Sequence, residues 1–134
     1  MEFLVFDVSG TTVKSAIMRA DGTVFQEDKH PVPDGELGTY EDFLQVLKDA
    51  YDRYAVPVDG IAVSLPGRID SEHGVVITPG ALKYNRGRRL AEDIRARVAD
   101  VPAAIVNDGK ADVARQVNLL LERVEEWRKA AEKD

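Results

Sequence analysis

Phe3-Leu4-Val5-Phe6-Asp7-Val8-Ser9-Gly10-Thr11-Thr12 opens the chain with a β-branched and aromatic run that breaks into small hydroxyl residues. Six such residues are short enough for a buried strand, and the Ser-Gly-Thr-Thr that follows reads as a tight turn. Val13 to Met18 then reads as a second strand, Asp21-Gly22 as a hairpin turn, and Thr23 to Phe25 as the opening of a third strand. The chain therefore begins as a three-stranded antiparallel meander. Pro31 and Pro33 close it, and Gly35 and Gly38 make the next stretch a loop.

Thr39 is a good helix N-cap, with Asp42 three residues on to support it. Phe43, Leu44, Val46, Leu47, Ala50, Tyr51 and Tyr54 recur at helical spacing, and Pro57 marks the end. Ile61 to Leu65 is a buried strand broken by Pro66-Gly67, with a small hairpin around Gly74 to Thr78. Leu90, Ile94, Ala96 and Val98 mark a second helix, and Ala103 to Val106 an apolar strand. From Lys110 onward there is no Gly or Pro, and Val113, Val117, Leu120, Val124, Trp127 and Ala131 form one seam along a helix of about 36 Å. The order βββαβαβα implies an α/β fold: a mixed five-stranded sheet covered by helices, the layout of ribonuclease-H-like and actin-like lobes, with an extended C-terminal helix.

Composition narrows the function classes. A chain of 134 residues, 44% apolar and 31% charged, has room for one folded domain. Without cysteine there is no disulfide framework, thiolate zinc site or cysteine nucleophile. A net charge of −6 argues against nucleic acid or an anionic membrane as partner. No run approaches 18 apolar residues, so the expected location is cytoplasmic.

Three segments could carry chemistry. Asp7 and the Ser9-Gly10-Thr11-Thr12 turn could bring backbone N–H groups and hydroxyls to an anion, with the carboxylate beside a hydrated Mg²⁺; taken alone, an ordinary β-turn with Asp7 bonding its own backbone is the default reading. Ser64-Leu65-Pro66-Gly67-Arg68-Ile69-Asp70 ends a strand where open α/β sheets hold ligands, although taken alone a plain turn is its default reading. Asn107-Asp108-Gly109-Lys110 follows the last strand. There Asp108 is either a helix N-cap or a base aimed into a cleft, with Asn107 holding a neighbouring hydroxyl.

Taken together, these segments resemble the N-terminal lobe of ROK-family sugar kinases, from about Phe3 to Ala114. Phe6-Asp7-Val8-Ser9-Gly10-Thr11-Thr12 looks like that family's phosphate-binding Asp-x-Gly-Gly-Thr hairpin. Gly60-Ile61-Ala62-Val63-Ser64-Leu65-Pro66-Gly67-Arg68-Ile69-Asp70 looks like its Gly-x-x-x-Ser-x-Pro-Gly-x-x-Asp segment. Gly74 to Tyr84 is similar to the sugar-side loop, and Val106-Asn107-Asp108-Gly109-Lys110 resembles the Glu-Asn-Asp-x-x catalytic motif. The resemblance implies that Asp108 is the general base toward a sugar 6-hydroxyl. Asn107, Gly67, Arg68 and Gly80 would then bind sugar. Asp7, Ser9, Gly10, Thr11 and Thr12 would face the phosphates of ATP, with Asp7 reaching Mg²⁺ through water when nucleotide is bound.

The departures set further expectations. Ser9 replaces the usual Gly and Val106 the usual Glu, and the second lobe, with most of the adenosine site and the Cys-rich zinc motif, has no counterpart. His30 and His73 fall outside the matched positions. Residues 1–114 are thus expected to form the kinase-like lobe, and residues 115–134 to continue the last helix as an engineered cap. Such a lobe of an ATP-dependent hexose kinase is expected to be inactive alone, because a half-site neither surrounds the nucleotide nor excludes water. The alternative is a designed, stand-alone scaffold with no small-molecule function. In either case the long helix covers its own sheet, pairs with another copy, or meets a complementary lobe. A ribonuclease-H-like nuclease is disfavoured because the strand ending Val63-Ser64-Leu65 carries no acid. A ROK transcription regulator is disfavoured because those proteins place a DNA-binding domain before the first strand.

Overall fold

A computed structural model describes residues 1–54 and 57–107, together with Glu122 and Lys129. The three opening strands β1 (Glu2–Val8), β2 (Thr12–Arg19) and β3 (Val24–Pro31) form the expected antiparallel meander. Helix α1 (Tyr40–Arg53) begins where Thr39 accepts a hydrogen bond from the Asp42 N–H at 3.1 Å, and it stops four residues before Pro57. Strand β4 (Gly60–Leu65) pairs parallel with β1, and β7 (Ala103–Asn107) pairs parallel with β4. The resulting five-stranded mixed sheet runs β3-β2-β1-β4-β7.

Between β4 and helix α2 (Leu90–Arg97) lies a separate two-stranded ribbon, β5 (Arg68–Asp70) against β6 (Val75–Thr78), followed by a 3₁₀ turn at Lys83–Asn85. The hairpin expected around Gly74 to Thr78 is thus the second strand of a longer excursion that begins at Arg68. Of the four apolar residues that mark α2, Leu90 and Ile94 are buried in it and Val98 is buried at its end, whereas Ala96 is exposed.

Strand alternation divides the core into two layers. Leu4, Phe6 and Val8 of β1 point to one face with Ile61, Val63, Leu65 and Ile105, and α1 and α2 cover them with Phe43, Leu44, Leu47, Leu90 and Ile94. Phe3, Val5, Ala62 and Ala104 cluster on the opposite face, which Ala16, Met18 and Val106 share by register. Phe3 is 0% exposed there, although none of the described helices packs on that face. The expected C-terminal helix lies outside the described residues, apart from Glu122 and Lys129, which are helical and exposed.

Register decides what happens at one edge of the sheet. Asp7 is level with Ser64 across β1 and β4, and Leu65 with Asn107 across β4 and β7. The C-terminal ends of the three parallel-paired strands therefore finish side by side, each about 4.8 Å from its neighbour.

Candidate functional site

At that edge the buried Ser64 hydroxyl donates to Asp7 Oδ1 at 3.1 Å, which holds the exposed carboxylate at the mouth of the sheet. Among the described residues no group of three or more His, Cys, Asp or Glu is placed to hold a metal ion. A lone carboxylate of this kind suits Mg²⁺ held through water and phosphate oxygens, the usual habit of that ion. Ser9, Gly10 and Thr11 lie exposed just beyond Asp7, with Thr12 half-buried. Their turn is closed by a Ser9 N–H to Thr12 carbonyl bond of 2.9 Å.

The turn after β4 is built from glycines that close approach demands. Gly67 has φ +97°, and a Cβ there would stand 2.1 Å from the Thr78 carbonyl oxygen and 2.9 Å from the Gly80 nitrogen. Gly80 has φ +58°, and its own Cβ would meet Pro66 at 3.0 Å. The two turns are thus pressed together, and the Arg68 N–H donates to Thr78 Oγ1 at 3.0 Å. The Asn107 side-chain amide reaches across from β7 to donate to the Gly67 carbonyl.

A further loop completes the wall. A Cβ on Gly35 would clash with the Ala81 carbonyl oxygen at 2.1 Å, and one on Gly10 would meet the Ala81 Cβ at 3.3 Å. Ala81 therefore stands between the β1–β2 turn and the loop before α1. That loop is pinned by the Lys83 N–H to Gly35 O bond of 3.0 Å and by the Tyr84 hydroxyl donating to Pro33 O at 3.0 Å. Asp34, which accepts from the Leu37 and Glu36 N–H groups, is held below the usual carboxylate range by those two bonds. Asp70 is likewise lowered, first by the His73 ring that bonds it at 2.8 Å, and it steadies the β5–β6 turn.

The structure thus brings Asp7, Gly10, Gly67, Gly80 and Asn107 to adjoining turns, with Arg68 exposed beside them. Asp108 lies outside the described residues. Gly35 and Ala81 were not singled out from sequence, because no local pattern announces a contact between loops 46 residues apart. Ser64 was named only within its motif, and its bond to Asp7 depends on the parallel register.

No family model matches the chain. A curated β-glucoside kinase from Klebsiella pneumoniae is 27% identical over 108 residues, which cover 81% of this chain and 35% of that protein. A solved ROK family protein from Streptococcus pneumoniae, in complex with sucrose, is 27% identical with a TM-score of 0.68, covering 81% of this chain and 35% of that one. A ROK family glucokinase from Streptomyces griseus, in complex with glucose and AMPPNP, has a TM-score of 0.71 over 81% of this chain and 33% of that one; at 18% identity it bears on the fold alone. The chain spans about a third of the length of these relatives. It resembles the N-terminal lobe of ROK-family sugar kinases, and its sheet and helices are those of that actin-like α/β lobe.

Proposed function

We propose that this chain is the phosphate- and sugar-facing half of an ATP-dependent hexose kinase site. The observation that carries the reading is the convergence of three strand ends. Register sets Asp7 beside Ser64, and Asn107 bonds the turn at Gly67. Phosphoryl transfer is mostly positioning and charge stabilisation, which asks for one base, several donors and a shaped edge rather than a covalent nucleophile.

In this reading Asn107, Gly67, Arg68 and Gly80 hold the sugar, while Asp7 and the Ser9–Thr12 turn face the phosphates. Asp108, one residue beyond β7, takes the proton of the 6-hydroxyl as that oxygen bonds the γ-phosphorus and the bond to ADP breaks. Mg²⁺, when bound with ATP, neutralises the phosphate charge that builds up in the transfer. In this reading the half-site is not competent alone, because a half-site neither surrounds the nucleotide nor excludes water. Cytoplasmic sugar phosphorylation fits the absence of any membrane-length apolar helix among the described residues.

The apolar seam from Val113 to Ala131 in the sequence gives residues 108–134 a proposed place in this reading, as a cover for the sheet face of Phe3, Ala62 and Ala104. The small Ala16, Ala62 and Ala104 side chains leave room for close packing there.

An amide-NMR titration of the intact chain with glucose, N-acetylhexosamines and Mg²⁺-ATP tests the site. Shifts confined to 7–12, 67–68 and 107–108 support it. A well-dispersed spectrum unmoved by every ligand at millimolar concentration overturns it in favour of a scaffold whose kinase-like residues bind nothing.

A further inference from the structure

The β1–β2 turn already has an occupant for its anion donors. The Ser9 Oγ accepts from the backbone N–H of Thr12 at 3.1 Å and of Thr11 at 3.3 Å. The same hydroxyl donates to the Thr12 carbonyl at 3.3 Å and lies 3.4 Å from Thr11 Oγ1. Two neighbouring N–H groups converging on one oxygen are the arrangement by which backbone concavities hold phosphate. Here that oxygen belongs to the chain itself.

From this geometry we infer that the Ser9 hydroxyl is a built-in competitor for a phosphate chain. It occupies the two donors in the resting turn and must rotate away before a phosphate oxygen takes its place. The inference rests on the reading of this turn as phosphate-facing and deepens it by naming what sets its affinity. Ser9 and Thr11 are exposed, so rotation of the hydroxyl into solvent meets no packed neighbour. Ser9 thereby acts as an affinity-setting residue: each net hydrogen bond given up on rotation is subtracted from phosphate binding.

The test compares the intact chain with Ser9→Ala and Ser9→Gly, using tripolyphosphate with Mg²⁺ as probe and amide NMR as readout. Ser9→Ala keeps the Cβ and removes only the competing oxygen. It is expected to bind the probe about tenfold more tightly, the scale of two modest hydrogen bonds, and to speed hydrogen exchange at the Thr11 and Thr12 amides without ligand. Equal affinity in all three proteins, with shifts at the turn, overturns the proposal while leaving the phosphate reading intact. A gain in Ser9→Gly but not in Ser9→Ala overturns it in favour of crowding by the Cβ. Weaker binding in Ser9→Ala makes Ser9 a phosphate ligand and overturns it too. If exchange quickens yet none of the three proteins binds the probe, the phosphate reading itself fails and the competition with it.

Discussion

The side-chain amide of Asn107, the last residue of β7, donates to the carbonyl oxygen of Gly67 in the turn after β4. One hydrogen bond thus joins two segments forty residues apart, and it sets the turn against the strand end from which Asp108 departs. Removing it should loosen the turn before it harms the fold. Asn107→Ala is expected to cost about 1 kcal/mol of stability, the net worth of one such bond, and to speed exchange at the Gly67 and Arg68 amides. Glucose-induced shifts at those amides should weaken as well; unchanged exchange and unchanged shifts would count against the tether.

Gly67 and Gly87 separate backbone strain from collision. Both have positive φ, +97° and +70°, but a Cβ on Gly67 meets the Thr78 oxygen at 2.1 Å, and one on Gly87 meets nothing within 4 Å. Gly87→Ala is expected to cost about 1 kcal/mol from strain alone. Gly67→Ala should cost at least about 3 kcal/mol, because the β4–β5 turn must also move off Gly80. Urea denaturation of the two variants measures the difference, and equal losses would mean that the turns are not pressed together.

The two tyrosines that close the α1 side predict how the protein fails in alkali. Burial, then the hydrogen bond to Asp93 at 2.6 Å, raises the Tyr40 hydroxyl well above its ordinary range; burial and the nearby Asp34 and Asp42 charges raise Tyr84. A raised acid stays protonated in the folded chain while the unfolded chain loses its proton near pH 10, so stability is intact below pH 10 and falls above it. The slope contributed is about 1.4 kcal/mol per pH unit for each group. Tyr40→Phe and Tyr84→Phe should each flatten that fall in denaturant melts between pH 9 and 11, whatever they do to stability at pH 7.

On the proposal that residues 108–134 cover one sheet face, deleting them is expected to open Phe3, Met18 and Ala104, 0–2% exposed in the intact chain, to water. An exposed apolar face of this kind promotes association. The expected outcome by light scattering is a monomer for the intact chain and concentration-dependent association or loss of folding for the deletion. An intact chain that dimerises, and that Val117→Glu returns to a monomer, would show instead that the seam pairs two copies.

Much of this was legible along the chain because the signals are local. The run at Phe3–Val8, the Asp21-Gly22 turn, the Thr39 cap and the apolar strand at Ala103 each depend on neighbours a few residues away. Helix α2 shows where locality fails: four apolar residues mark its existence, but only packing decides that Ala96 faces solvent. The β5–β6 ribbon was half seen for a related reason, since Arg68-Ile69-Asp70 is only three residues long and becomes a strand by pairing with Val75–Thr78.

The amino-acid order alone determined the succession of strands and helices, the strand-end positions of the candidate residues, and their likeness to a sugar-kinase lobe. Tertiary structure decided which of those residues meet. Ser64 reaches Asp7 through parallel register, Asn107 reaches Gly67 by strand adjacency, and Ala81 stands against Gly10 and Gly35 because three loops share one edge. Such contacts depend on distances between segments far apart in the chain. No local periodicity encodes them, and only closing the sheet brings them within hydrogen-bond or van der Waals range.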